Sequence, residues 1–518
     1  MLKLNPGAID YRLWQQVAVD QSSVSWQPSE QLQASIDELN KRLRLGEAIY
    51  GVNTLFGSMA DSAVADHEAL QSQLIRDHAL HVGKPLKIQH VRAALLLRVN
   101  SLAQGYSAIR PALLQRYIDL LNAKLIPQVF DLGSIGASGD LVPLATMAAA
   151  ALGYDDQHLV NEHGETLDAK RGLQAHGLDP LILKPKEGIA LINGTSFSTA
   201  IAGNVMLSAR HLVNHQLQLH ACVAEVMHFN ASTLASEFQQ LKPFPYQQSV
   251  AAWLASLLAG SPWVQSDNDR QLAFSHGSLL QDRYSLRCLP QFWSPILEQF
   301  NRSRDAVLIE ANSVTDNPVI INSQIYHGGH FLAQHIAWAM DGMRQAFSQL
   351  SKHMEAQISL LVEPAYSRGL PASLATSGFS VAAKPLQLIS NAITPQIQLL
   401  ANSMTNLFPV HAEQLNQNIN SLAFGSANMA DQSVDWLAEQ TAVFALITLR
   451  AMTIRQQQLA SEPNGWQYFE CLAKQVEVPL GQWAAQQNQV LRRLKAVLLS
   501  ASQPVALDEQ LLPVSHFA

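Results

Sequence analysis

The chain has 518 residues, of which 48% are hydrophobic and 14% charged, with a formal net charge of −7. So little polar material cannot coat many small separate bodies, so the composition points to a large buried fraction or to extensive subunit contacts. The charges are dispersed without long runs of one sign, which argues against nucleic-acid or anionic-membrane binding and leaves a small molecule as the expected partner.

Cys222, Cys288 and Cys471 lie far apart and form no C-x-x-C pair, so neither a disulfide framework nor a zinc site is expected, and the expected compartment is a reducing cytoplasm. The first residues, Met-Leu-Lys-Leu-Asn-Pro-Gly, lack a charged stretch followed by an apolar run. No segment reads as the roughly 18 apolar residues of a membrane span.

In chain order, Pro28-Ser29-Glu30 followed by Leu32, Ile36, Leu39 and Leu43 predicts a capped amphipathic helix over 28–48. It leads into Tyr50-Gly51-Val52-Asn53-Thr54-Leu55-Phe56-Gly57, which has no periodicity and reads as a loop. The segment 71–83 sets Arg76, Asp77 and His78 in an otherwise apolar helical pattern. A further helix over 91–103 carries Leu95, Leu96, Val99 and Leu102 on one side and stops near Gly105.

Residues 133–144 read Gly-Ser-Ile-Gly-Ala-Ser-Gly-Asp-Leu-Val-Pro-Leu. The glycines fall at G-x-x-G-x-x-G and no Gly-Lys-Ser/Thr follows, which excludes a dinucleotide loop and a P-loop. Two readings remain. One is a flexible turn with Asp140 capping a helix that has Pro143 in its first turn. The other is a cyclisation turn, in which small residues let the Gly139 nitrogen reach the Ala137 carbonyl carbon. Loss of water, with the Ser138 hydroxyl, would leave a five-membered ring bearing an exocyclic methylidene, made from backbone held under strain.

Beyond it, 141–152 predicts a buried alanine-rich helix, 154–186 a surface excursion of short strands, and 197–227 a long central helix with Ala200, Ala202 and Gly203 allowing close packing. Residues 240–250, with Pro243 and Pro245, read as a loop. Tyr284 and Arg287 are three apart and share a helical face; a guanidinium fork suits a carboxylate, and a tyrosine hydroxyl can relay a proton. Apolar residues at 336, 340, 343, 347, 350, 354, 358 and 361 predict a helix about 39 Å long, and 435–459 predicts another. Strands do not alternate with helices, so the expected fold is mainly α, a central bundle of long helices with small irregular or β excursions. The chain is expected to form one unit, with a lobe over 1–200, the bundle over 201–460 and a helical segment over 461–518.

Several of these stretches resemble the aromatic amino acid ammonia-lyase and aminomutase family, which includes histidine, phenylalanine and tyrosine ammonia-lyases. The resemblance covers roughly residues 40 to 460. It rests on 133–144; on 50–57, where Leu55 replaces a glycine; on Lys186-Glu187-Gly188-Ile189-Ala190-Leu191-Ile192-Asn193-Gly194-Thr195; on Gln281-Asp282-Arg283-Tyr284-Ser285-Leu286-Arg287-Cys288; on 312–318, ending Asp316-Asn317-Pro318; and on Gly328-Gly329-His330-Phe331, where His330 replaces an asparagine. It implies a fumarase- or aspartase-like helical architecture and a homotetramer with each active site shared by three subunits. It also implies a 4-methylidene-imidazol-5-one formed autocatalytically from Ala137-Ser138-Gly139, with no dissociable cofactor. Tyr50 is then the base for the β-proton, Arg287 holds the carboxylate while the substrate amine adds to the methylidene, and Tyr284 belongs to the catalytic set. Gln281, Asn193, Asn317 and Phe331 are implied around the substrate. A base of this kind is expected to have a depressed pKa.

No Gly-Ser-Ser-x-Met-Pro loop of the fumarase and argininosuccinate-lyase superfamily occurs, and a non-catalytic scaffold would not keep all the matching site residues. An aminomutase uses the same residues and stays open. For the substrate, Asp77-His78 aligns with His-Leu in tyrosine lyases, Phe-Leu in phenylalanine lyases and Ser-His in histidine lyases. Met429-Ala430 aligns with Gln-Glu of histidine lyases, so the glutamate that holds an imidazole is missing. A polar pair is costly opposite a phenyl ring. The reading is therefore tyrosine to 4-coumarate, with histidine to urocanate as the alternative.

Overall fold

A computed structural model describes residues 1–275, 280–377, 380–408 and 411–500. The part of the C-terminal segment over 501–518 lies outside the described residues. The architecture is mainly helical, with three small sheets: a parallel pair (Leu2–Lys3 with Val24–Ser25), a three-stranded antiparallel sheet in the order Ile126–Pro127, His158–Val160, Thr166–Asp168, and a hairpin of Val319–Ile321 with Gln324–Tyr326.

Five long helices form the body: Ser196–Val226, Leu289–Ala311, Gln334–Val362, Lys384–Leu400 and Ala423–Leu459. All residues of Ser196–Val226 except Ser208, Arg210 and Gln218 are buried. Gly203 lies against Trp14, where a Cβ would come within 2.2 Å of the indole, so the missing side chain is what lets the first helix, Tyr11–Ala18, seat there. In Gln334–Val362 every position of the predicted stripe, from Ile336 to Leu361, is at most 1% exposed. One apolar cluster links residues from Leu4 to Leu498.

The structure corrects several expectations. Residues 240–250 are mostly helical, because Pro245 occupies the first turn of Pro245–Leu258, where a missing amide hydrogen costs nothing. The last long helix begins at Ala423 rather than 435; the run of small residues at its start is buried, with Gly425 against Met404. Ile88–Leu102 is buried all round from His90 onward, since Arg92 and Arg98 give their guanidinium hydrogens to buried carbonyls. Ala423–Leu459 is also long and apolar enough to cross a membrane, but 83% of its most apolar window is buried inside the protein.

Candidate active site

The Ala137-Ser138-Gly139 turn lies where three helices begin. Leu141–Leu152 follows it directly, Gly194 leads into Ser196–Val226, and Ser421-Leu422 leads into Ala423–Leu459. The Asp140 amide donates to the Gly194 carbonyl at 2.8 Å, and Gly139 and Gly194 form a parallel bridge. On the other side the Leu422 amide donates to the Ile135 carbonyl at 3.0 Å, and the Ser421 hydroxyl to the Gly136 carbonyl at 3.0 Å. Helix N-termini carry partial positive charge, so the turn sits in a field that favours negative charge developing on it.

Asp140 does not cap its own helix, as the flexible-turn reading supposed. Its carboxylate reaches across to the next one, accepting from the Ser198 amide at 2.7 Å and the Ser198 hydroxyl at 2.6 Å, and it also accepts from the Ser134 hydroxyl at 3.1 Å. Burial raises its pKa, and the Ser198 hydrogen bonds oppose that rise.

These three residues fit a backbone-derived ring. Gly139 has φ +73°, and a Cβ there would lie 2.1 Å from the Gly194 carbonyl oxygen, so only glycine lets the backbone come this close. Ala137 is buried, while the Ser138 hydroxyl faces a cavity of about 800 Å³ and accepts from Gln417 Nε2 at 2.9 Å. The same cavity is bordered by Tyr50, His78, Asn193, Asn317 and Phe331. Asn193 donates to the Asn317 carbonyl at 2.8 Å, and its Oδ1 is buried with no partner in the chain, a free acceptor at the cavity wall.

Buried groups fix each of these positions. Gln71 donates to the Gly51 carbonyl at 2.8 Å and accepts from the Ile189 amide at 3.0 Å, tying the Tyr50 loop to the helix Glu187–Ile192. Arg98 donates to the carbonyls of Ala190 (3.1 Å) and Asn193 (2.9 Å) at the end of that helix. Lys186 pairs with Asp316 at 2.5 Å, both buried, which sets Asn317 next to it.

Tyr50 accepts from the Gly57 amide at 3.0 Å. Its pKa is raised, not depressed as expected: burial lifts it, the Gly57 N–H pulls it down in part, and the Glu413 carboxylate lifts it again. The charge felt by Tyr50 within one chain is thus negative. His78, the last residue of His67–His78, holds its Nδ1 at 2.8 Å from the Leu74 carbonyl. A carbonyl only accepts, so Nδ1 carries the hydrogen, and His78 itself borders the cavity.

Six residues expected at the site are elsewhere. Asp77 is exposed at the helix end and accepts from Gln73, while the Arg76 guanidinium lies over the Tyr154 ring at 4.1 Å. Gln281, Tyr284 and Arg287 form a surface turn outside the cavity lining, with Tyr284 73% exposed and the Arg287 guanidinium over its ring at 4.7 Å. Ala430 is fully buried in the last long helix, and Met429 packs near Arg344. Gly139 stands behind the lining. His330 is exposed and does not line the cavity.

Sequence reading missed Glu413, Asn416, Gln417 and His327, all of which border the cavity. The Asn416-Gln417-Asn418 run, polar and uncharged between weakly patterned segments, was the available signal.

Residues 11–474 match the family model for aromatic amino acid lyase. The chain belongs to that family. It is 39% identical over 464 residues to a phenylalanine ammonia-lyase of Nostoc punctiforme, spanning 87% of this chain and 82% of that one. It is 40% identical over 428 residues to an aromatic ammonia-lyase of Loktanella atrilutea, spanning 81% and 78%. The lyase fold is shared with the crystal structure of a tyrosine aminomutase from Streptomyces globisporus, at TM-score 0.87 and 25% identity over 97% of this chain and 99% of the other.

Proposed function

We propose that this protein eliminates ammonia from an aromatic L-amino acid, tyrosine to 4-coumarate. Family membership supports the reaction class, and one observation carries the substrate: His78, its Nδ1 hydrogen given to the Leu74 carbonyl, borders the cavity in which Ser138 and Tyr50 stand, which leaves Nε2 as the nitrogen to meet a phenol. A phenol hydroxyl can donate to that nitrogen, whereas a phenyl ring would leave it unpaired. Leu74, not Asp77, sets the ring's orientation. The imidazole alternative loses support, since Ala430, which stands where histidine lyases have the glutamate that holds the imidazole, is buried in the bundle, and the carboxylate that does border the cavity, Glu413, acts on Tyr50.

The methylidene-imidazolone, formed from Ala137-Ser138-Gly139, would supply an electrophilic carbon that makes the amine a better leaving group. The chain's own residues do the rest. Gln417 and Asn193 orient groups at the turn, Phe331 borders the ring of the substrate, and Tyr50 takes the β-proton. Carboxylate binding falls to Arg287 with Gln281 and Tyr284, which one chain cannot bring to its own cavity; they would serve the cavity of another copy in a homotetramer. A guanidinium arriving there would also offset Glu413 and lower the Tyr50 pKa towards a working value. A reducing, cytoplasmic setting belongs to the same proposal and rests on the wide spacing of the three cysteines in the sequence.

The test compares kcat/KM for tyrosine, phenylalanine and histidine, with product assayed as the enoate and as the β-amino acid. Preference for tyrosine with enoate product is expected. Preference for phenylalanine would show that His78 does not read the ring, and β-amino acid as main product would make the protein an aminomutase.

A further inference from the structure

The turn Tyr284–Arg287 is held from inside the bundle by buried groups that are not part of the cavity lining described above. The Ser285 carbonyl accepts two hydrogen bonds, from His353 Nε2 at 2.7 Å and from Gln357 Nε2 at 2.9 Å. His353 and Gln357 are four apart on Gln334–Val362 and so share one face. Behind them, Trp293 Nε1 donates to His353 Nδ1 at 3.3 Å, and His220 Nδ1 lies 2.7 Å from Gln357 Oε1. Trp293, His220 and Gln357 are fully buried and His353 is 5% exposed.

Every direction in this network is determined. An indole N–H only donates, so His353 Nδ1 must be the bare nitrogen and Nε2 must carry the hydrogen given to Ser285. A carbonyl only accepts, so the Gln357 amide nitrogen faces Ser285, its oxygen faces His220, and His220 Nδ1 carries a hydrogen. The assignment requires a neutral His353, and burial brings its pKa down to about 4. At the other end of the segment, Asp282 is buried and accepts from Arg270 (2.6 Å), Arg368 (2.9 Å) and the Asn230 amide (2.9 Å). The segment is thus pinned at 282 and 285, while Gln281, Tyr284 and Arg287 point outward. The helix that follows, Leu289–Ala311, has Pro290 in its first turn, which has no amide hydrogen to give back to the turn.

We infer that His353 and Gln357 are positioning residues for substrate binding: by holding the Ser285 carbonyl they aim the Arg287 fork at the carboxylate. The inference rests on the reading of Arg287 proposed above. A bidentate contact is geometrically demanding, so a small rotation of a four-residue turn removes it while the turn stays folded.

The experiment uses the purified full-length enzyme and two competitive inhibitors carrying the preferred substrate's ring: the arylpropenoate, which has the carboxylate, and the arylethylamine, which lacks it. His353→Phe keeps a ring and removes the donor; Gln357→Leu removes the other donor. Each is expected to raise Ki for the arylpropenoate about fivefold to tenfold and to leave Ki for the arylethylamine within about twofold. KM should rise more than kcat falls. His353→Gln, which restores an amide hydrogen near the Nε2 position, is expected to recover arylpropenoate binding. In an Arg287→Met background neither substitution should weaken it further. Equal weakening of both inhibitors, or an undiminished effect without Arg287, would overturn the positioning role. If His353→Phe does not fold, Gln357→Leu decides by the same comparison. Should Arg287→Met alone leave the arylpropenoate Ki unchanged, the carboxylate role of Arg287 is wrong, and the inference falls with it for that separate reason.

Discussion

Tyr50 and His78 border the same cavity, and under the proposed function they divide the work between proton removal and ring recognition. Removing only the hydroxyl in Tyr50→Phe should leave folding intact and reduce kcat by about 10² to 10⁴. A base works when deprotonated, so kcat/KM in the wild type should climb with pH as Tyr50 ionises, on a limb that burial and Glu413 push up and an incoming guanidinium brings down. The profile of the residual activity of Tyr50→Phe should lack that limb. His78→Leu removes the acceptor and should shift the ratio of kcat/KM for tyrosine over phenylalanine towards phenylalanine by about 10- to 100-fold. An unchanged ratio would mean that the phenol does not meet His78. Both residues could be picked out in the sequence, because each lies in a stretch with its own motif or polar anomaly. Their electrostatics could not, because Glu413 comes from a segment more than three hundred residues away and the Leu74 carbonyl becomes a partner only once the helix ends at His78. Asp77 shows the limit of such reading: one step along a helix turns a side chain away from its neighbour's face.

Among the elements, periodicity was a good guide wherever a helix has one wet side, as the stripe from Ile336 to Leu361 shows. It failed at the start of Ala423–Leu459, and at Ile88–Leu102 it found the helix but not its burial on all sides, where buried polar groups answer one another. One such group is Asp431, which lies 3.2 Å from His90 Nε2 and pairs with Lys87 at 2.8 Å, joining the last long helix to Ile88–Leu102. Burial works against its charge, but the neighbouring His90 and Lys87 bring its pKa down to about 2. A carboxyl whose folded pKa is depressed stabilises the protein above its unfolded pKa, near 4, and loses that contribution as pH falls through about 2. Asp431→Asn should therefore cost about 2 kcal/mol at neutral pH, with the Tm gap to wild type narrowing as the pH falls below about 4. A gap that does not vary with pH would show that the pair contributes through packing alone.

For the molecule as a whole, Trp338, Ile309, Leu388 and Leu399 expose apolar surface on the outer faces of three long helices, and the Gln281–Arg287 segment presents its polar groups away from the chain's own cavity. Under the proposed function further copies cover the one and use the other, and neither feature can be read from local sequence, since the geometry that separates Arg287 from Tyr50 belongs to the tertiary fold. If the sites are shared, Tyr50→Phe and Arg287→Met, each inactive alone, should regain part of the wild-type turnover when co-expressed as mixed oligomers. Mixed oligomers with no turnover would place both residues in sites of the same chain. The central claim is that chemistry is done by a group made from Ala137, Ser138 and Gly139 inside the close packing against Gly194. Intact mass spectrometry of the freshly purified chain tests it most directly: the account predicts a mass two waters below the encoded 56.8 kDa, with Ser138→Ala showing no such loss, and an unmodified wild-type mass in soluble protein would contradict it.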